Sequence, residues 1–393
     1  MEPHKLNRRR TLKLGTVGIT SLLVNPSLSI NYLAKKREFS YQQPRVIIIR
    51  FGGGVRRQET IDIKGTYAPF MRHTLASEGT LFSNMELEQS DSVTTSHGQG
   101  TLYILTGKYK KYEQEFLNDN FEPSIPTLFE YLRKQYHIPE EETLIINGED
   151  RTSEEFYSFS NHHSFGVNYR SQVLSLYRFK IHLLKKQIIT NQFTDKELEK
   201  KQEELEKLLE KNYRPNQELS EPLKLTQFWE EWEKMYGESG LVNPRGDSLL
   251  TELAVWAINR LKPKLLMINY NDPDYVHWGY KSHYTRGISI IDQGIKRLVD
   301  TIKLAEEYRD NTVLCIVPDC GRDSNPFLSV PYQHHFNSKS AHEIFALFWG
   351  KGINKNKVIE RQVSQIDIAP TIAKIMGFNA DYAEGNILEE VFI

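Results

Sequence analysis

Four polar clusters in this chain carry side chains able to bind an anion, bind a cation or attack an ester. The first is Phe51-Gly52-Gly53-Gly54-Val55-Arg56-Arg57, a turn whose backbone amides can approach an anion, with two arginines beside it. The second is Ser92-Val93-Thr94-Thr95-Ser96-His97-Gly98-Gln99-Gly100, ahead of the apolar residues 101–105. Hydroxyls there serve either as caps or as a nucleophile at a helix N-terminus, where the dipole and free amides favour an anionic substrate. In the third, Asn271-Asp272-Pro273-Asp274-Tyr275-Val276-His277, two carboxylates and an imidazole fall within six residues. They either converge on a divalent metal or form an Asx-type turn. The fourth is Pro318-Asp319-Cys320-Gly321-Arg322-Asp323, followed by His334, His335 and His342, all usable ligands for zinc or a related ion.

These four clusters are read as following strands. Residues 46–51, 264–269 and 312–317 are β-branched and continuously apolar, as in strands covered on both faces of a parallel sheet. Residues 143–147 and 343–348 fit the same design. Between them, Ile288, Ile291, Ile295, Leu298 and Ile302 recur at helical spacing, as do Ile125, Leu128, Phe129 and Leu132 behind the start signal Pro123-Ser124. The alternation predicts an α/β chain with a doubly wound, mainly parallel sheet and helices on both faces, whose ligands sit beyond the carboxyl ends of the strands. Residues 170–236 break this rhythm. Their Glu- and Lys-dense stretch 196–211, with Leu198, Leu205, Leu208 and Leu209 on one side, predicts a helical insertion in a domain spanning residues 40–393.

Composition narrows the choice of partner. The 393 residues are 39% hydrophobic and 26% charged, enough for a large core, and the formal net charge is −1 with basic and acidic residues interleaved. That argues against nucleic acid. Cys315 and Cys320, five apart about a strand end, read as unpaired and cannot by themselves make a four-ligand zinc site.

At the start, Arg8, Arg9, Arg10, Thr11, Leu12 and Lys13 lead into an apolar stretch of about 11 residues, short of the ~20 that span a membrane. With Pro26, Ser27, Leu28 and Ser29 behind it, the segment 1–29 resembles a twin-arginine export signal; a basic tail or an uncleaved anchor is the alternative. The expectation is export by the twin-arginine machinery to the periplasm or beyond, with no stable membrane span after signal removal.

The tail Asp367-Ile368-Ala369-Pro370-Thr371 through Gly377-Phe378 looks like the sulfatase-type "DIAPT…GF" ending, in which Pro370 opens a helix and Gly377 closes it. Thr106-Gly107, and Asp274 with His277-Trp278-Gly279 ahead of a long helix, add to the match. In this order the chain resembles the alkaline phosphatase and sulfatase superfamily over residues 44–393, apart from the insertion.

The resemblance implies hydrolysis of phosphate or sulfate esters by in-line attack of a hydroxyl, for which Thr95 is the candidate, on a small-molecule or glycan ester. It places one divalent ion (zinc, manganese or calcium) on Asp274 and His277 with His335 or His342 as the distant histidine, Asp272 being the alternate carboxylate and His334 a further candidate ligand. A second ion is usual in the family, held partly by an aspartate where Gly52 stands here and by a histidine where Cys320 stands; Asp319 alone matches. One ion rather than two is therefore expected, with Cys320 contributing only if it ionises. Arg322 and Arg56, with Arg57 nearby, are expected to stabilise anionic charge, and His97 to bind substrate. A catalytically silent member that binds a sulfated or phosphorylated ligand is the alternative.

Overall fold

The structure, a computed structural model, describes residues 41–393 except 111–122, 150–153, 191–192, 211–221, 242, 244, 279, 326, 328–330 and 335–337. The export segment lies outside the described residues. Among the described residues, nine strands form one sheet: β1 (Arg45–Phe51), β2 (Thr80–Glu86), β3 (Thr143–Asn147), β4 (Gln172–Leu174), β5 (Leu265–Asn269), β6 (Thr312–Pro318), β7 (Glu343–Gly350), β8 (Lys357–Ile359) and β9 (Val363–Ser364). Their order is β4-β3-β5-β1-β6-β7-β2-β8, with β9 also on β2. β7 runs antiparallel to both of its neighbours, and every other pairing is parallel.

The uninterrupted apolar runs of β1, β5 and β6 are explained by burial on two faces. Alternate residues of β1 enter different cores. Ile47, Ile49 and Phe51 join one that includes Ile288, Ile291, Ile295, Leu298 and Ile302. Val46 and Ile48 join another that includes Leu102, Leu128, Leu132, Ile368 and Ile372. Helices thus cover both faces, as a doubly wound sheet requires.

The longer helices are α1 (His97–Thr106), α2 (Leu128–Tyr136), α3 (Leu176–Thr190), α4 (Asp195–Leu209), α5 (Leu223–Tyr236), α6 (Asp247–Arg260), α7 (Lys281–Leu304) and α8 (Ile368–Met376). Within residues 170–236, Gln172–Leu174 is a strand of the main sheet, in parallel register with Leu144–Ile146. Phe179, Leu183, Phe228, Trp229 and Trp232 of α3 and α5 enter the first core. Only α4 stands apart, resting Leu208 on Ile181 and Leu184.

The start of α2 differs from the Pro123-Ser124 signal. Thr127 is the N-cap of a capping box closed by Glu130. Glu130 is fully buried and also accepts from Ser160 N at 3.1 Å, Ser160 Oγ at 2.8 Å and Gly166 N at 2.8 Å. Removing it leaves several buried donors unpaired, so Glu130→Ala is expected to cost about 3 kcal/mol of unfolding free energy. Urea unfolding followed by tryptophan fluorescence measures this, and an unchanged midpoint would mean that water replaces the carboxylate.

Candidate functional site

The clusters meet at the carboxyl ends of β1, β5 and β6, against the first turn of α1. Each arrives for a local reason. β1 is followed by Gly53 and Gly54, both with positive φ, which turn the chain back sharply. β5 runs into a 3-10 turn, Asp272–Trp278, which carries Asp274 and His277. Helix α1 is capped by Ser96, whose side chain accepts from Gln99 N at 3.3 Å. Ser96 therefore does the capping, and Thr95 stands just before it. Gly100 in the next turn lies against Asp319, where an added Cβ would come within 2.1 Å of the Asp319 carbonyl oxygen.

His97 spans two carboxylates. Its Nδ1 is 2.7 Å from Asp319 Oδ2 and its Nε2 is 3.1 Å from Asp274 Oδ1. Burial alone would lower its pKa, but the charges of Asp319 and Asp274 outweigh that and hold it well above the usual histidine value. The same contacts hold Asp274 and Asp319 well below the ordinary carboxylate range, against the opposing effect of burial. Asp319 is fully buried and also accepts from Gly54 N at 3.2 Å and Cys320 N at 2.8 Å.

A raised folded-state pKa contributes stability that is complete below the unfolded value, about 6.5 for histidine, and is lost as pH rises through the folded value. In chelator, the thermal midpoint is therefore expected to decline as pH rises above neutrality, and His97→Gln to flatten that decline. A parallel decline in both proteins would assign it to other groups.

Asp274 Oδ1 is the hub. It receives Arg322 Nη2 at 2.7 Å, lies 2.9 Å from His277 Nε2 and 3.6 Å from His334 Nε2. His334 is buried, and its Nδ1 is 2.8 Å from the Thr95 carbonyl oxygen, while the Thr95 hydroxyl donates to the His334 carbonyl oxygen. An Nδ1–H donated to that carbonyl leaves the Nε2 lone pair facing Asp274, the arrangement that orients a metal-ligating histidine. Ligand atoms of Asp274, His277 and His334 lie within 4.8 Å of one another, and so do those of His97, Cys320 and His334. The first set, one carboxylate oxygen and two imidazole nitrogens, fits a zinc-like ion with an open position. In the second set, burial and then Asp319 push the Cys320 thiol up to about 11, so it is not ionised at neutral pH in this arrangement.

Other expected residues are placed differently. Arg322 is fully buried, and its donors reach Gly54 O at 2.8 Å, the Gly53 and Tyr332 carbonyl oxygens, and Asp274. It thereby clamps the turn after β1 to the segment that carries His334. Arg56 pairs with Glu59, and Arg57 donates to the Ile344 and Met85 carbonyl oxygens at 2.8 and 2.7 Å. Asp272 faces Asp247, whose backbone N–H donates to it at 3.3 Å, and burial raises its carboxyl to about 6. His342 is buried beside the Leu87 carbonyl oxygen and belongs to neither ligand group. His335 lies outside the described residues.

Sequence reading passed over Arg50 and Glu149, both buried behind Asp319 and joined by an ion pair. The available signal was a cation at the end of a strand that is otherwise apolar.

The fold is that of an alkaline phosphatase-like α/β protein, and the resemblance read from the sequence is borne out at the level of fold. Residues 271–378, which include Asp274, His277, Asp319, Arg322 and His334, match the sulfatase family model. Among solved structures, alkaline phosphatase PafA aligns with a TM-score of 0.58 at 12% identity, over 89% of this chain and 99% of that one. A 2-O GAG sulfatase aligns with a TM-score of 0.51 at 11% identity, over 88% and 74%. The lipoteichoic acid synthase LtaP from Listeria monocytogenes gives 0.50 at 11% identity, over 88% and 74%. At these identities the likeness is one of fold. No curated protein matches the chain by sequence. Among the described residues, no helix is long and apolar enough to cross a membrane.

Proposed function

We propose that this site hydrolyses a phosphate or sulfate ester of a small molecule or glycan, with Thr95 as nucleophile and one divalent cation on Asp274, His277 and His334. The observation that carries the reading is the convergence of those three ligands within 4.8 Å, with His334 tied through two hydrogen bonds to Thr95. A cation bound there would supply Lewis acidity toward an ester oxygen.

The rest is work for the chain's own groups. The Thr95 hydroxyl donates a hydrogen bond to the His334 carbonyl oxygen, which orients its lone pairs for an in-line attack in which the bond to phosphorus or sulfur forms as the ester oxygen leaves and the hydroxyl proton passes to water. The first turn of α1 and the imidazolium of His97 place positive charge beside the anionic ester. Arg322 holds Asp274 and the Gly53-Gly54 turn in register. Export of the folded, metal-loaded chain by the twin-arginine route, with residues 40–393 as the mature domain, belongs to the same reading.

A second reading, an anion-binding protein without turnover, is favoured by Gly52 and Cys320 standing where the family has ligands. Elemental mass spectrometry of protein purified without chelator, with a screen of aryl phosphates and sulfates, separates the two. About one ion per chain with product release supports the hydrolase. No ion, with sulfate or phosphate bound and no product, supports the binder.

A further inference from the structure

The resemblance implies a second ion beside Asp319, and the residues present do not fit one. Gly52 stands where an aspartate ligand is usual, and it has no room for a side chain. A Cβ there would lie 1.8 Å from the Tyr270 carbonyl oxygen, 2.7 Å from Arg50 Nη2 and 2.9 Å from Arg50 Nε. The space into which a residue-52 carboxylate would point is filled by the guanidinium of Arg50.

Arg50 is fully buried. Its Nη1 donates to Thr101 Oγ1 at 2.9 Å and to Glu149 Oε1, and lies 3.7 Å from Asp319 Oδ2. Its Nη2 donates to the Tyr270 carbonyl oxygen at 3.0 Å. Glu149 is held in turn by the Tyr157 hydroxyl at 2.7 Å. The cation is therefore fixed from four sides, by α1 and by the residues that follow β3, β5 and β6.

Glu149 and Asp319 are two buried carboxylates flanking one point, a charge arrangement that suits a divalent ion once the guanidinium is gone. With Arg50 present they already face a permanent positive charge that needs no ion.

We infer that Arg50 is a built-in cation that takes the place of the second metal ion, making the centre a hybrid of one exchangeable ion and one fixed guanidinium. This goes beyond the ester-hydrolase reading and depends on it only for the identity of the first ion.

The test is an ion count. Full-length protein stripped with chelator is titrated with zinc alone, freed of unbound metal and analysed by elemental mass spectrometry, for the parent, Arg50→Gln and Arg50→Lys. Arg50→Gln keeps amide donors near Tyr270 and Thr101 while removing the charge; Arg50→Lys keeps the charge. The expected result is one more ion per chain in Arg50→Gln than in the parent, and no gain in Arg50→Lys. A folded Arg50→Gln that gains none overturns the inference. So does a parent that takes two ions, an arm that requires no variant to fold. A parent that binds none while Arg50→Gln binds one would sink the ester-hydrolase reading and leave this inference standing.

Discussion

With Thr95 as the proposed nucleophile, Thr95→Ala is expected to lower turnover of an aryl phosphate or sulfate by at least about 10³-fold, because it removes the atom that would form the new bond. Bound metal should be unchanged, since Thr95 holds His334 Nδ1 through its backbone carbonyl, which the substitution keeps. Thr95→Ser, which retains the hydroxyl, should fall within about tenfold of the parent. The informative comparison is therefore turnover against ion content in the same preparations. Unchanged turnover in Thr95→Ala removes Thr95 from the chemistry. Loss of turnover together with the ion would mean that Thr95 acts by orienting His334.

Asp274→Asn should be the most damaging change at the metal centre. It removes the one carboxylate of the three-ligand set and leaves His97, His277 and Arg322 around a neutral amide. The bound ion is expected to be lost, and turnover with it, again by about 10³-fold or more. Stability should also fall by about 2 kcal/mol in chelator, less than for a deeply buried pair because the Asp274 side chain is 20% exposed. The loss has a pH signature. A depressed carboxylate contributes stability present above its unfolded pKa and lost as pH falls through the folded value, so the two proteins should converge in strong acid. Retention of the ion by the variant would move the metal to the set of His97, Cys320 and His334.

The fold was legible where local chemistry determines it. Residues 46–51, 143–147, 264–269, 312–317 and 343–348 are apolar because a two-faced sheet buries them, and all five are strands. β4, β8 and β9 span three, three and two residues, too few for a periodicity to register. Their strand character comes from the neighbours they pair with.

The candidate residues were legible one by one, and the structure brings Thr95, His97, Asp274, His277, Asp319, Arg322 and His334 together in space. Their pairings were not legible. His97 reaches Asp319 and Asp274 across 222 and 177 residues of sequence, so no local spacing could reveal that it lies between them. Arg56 and Arg322 look alike in sequence, yet Glu59, three residues on, takes the first while backbone carbonyls and Asp274 take the second.

The contact of Gly100 with the Asp319 carbonyl oxygen sets a limit of another kind. Because backbone meets backbone there, the separation between Thr95–His97 and Asp319 is governed by a hard stop and not by a rotamer that can yield. The helix behaves as a part seated against a shoulder: one methyl group at residue 100 would act as a shim, lifting Thr95 and the His97 imidazole together from the Asp319 carboxylate.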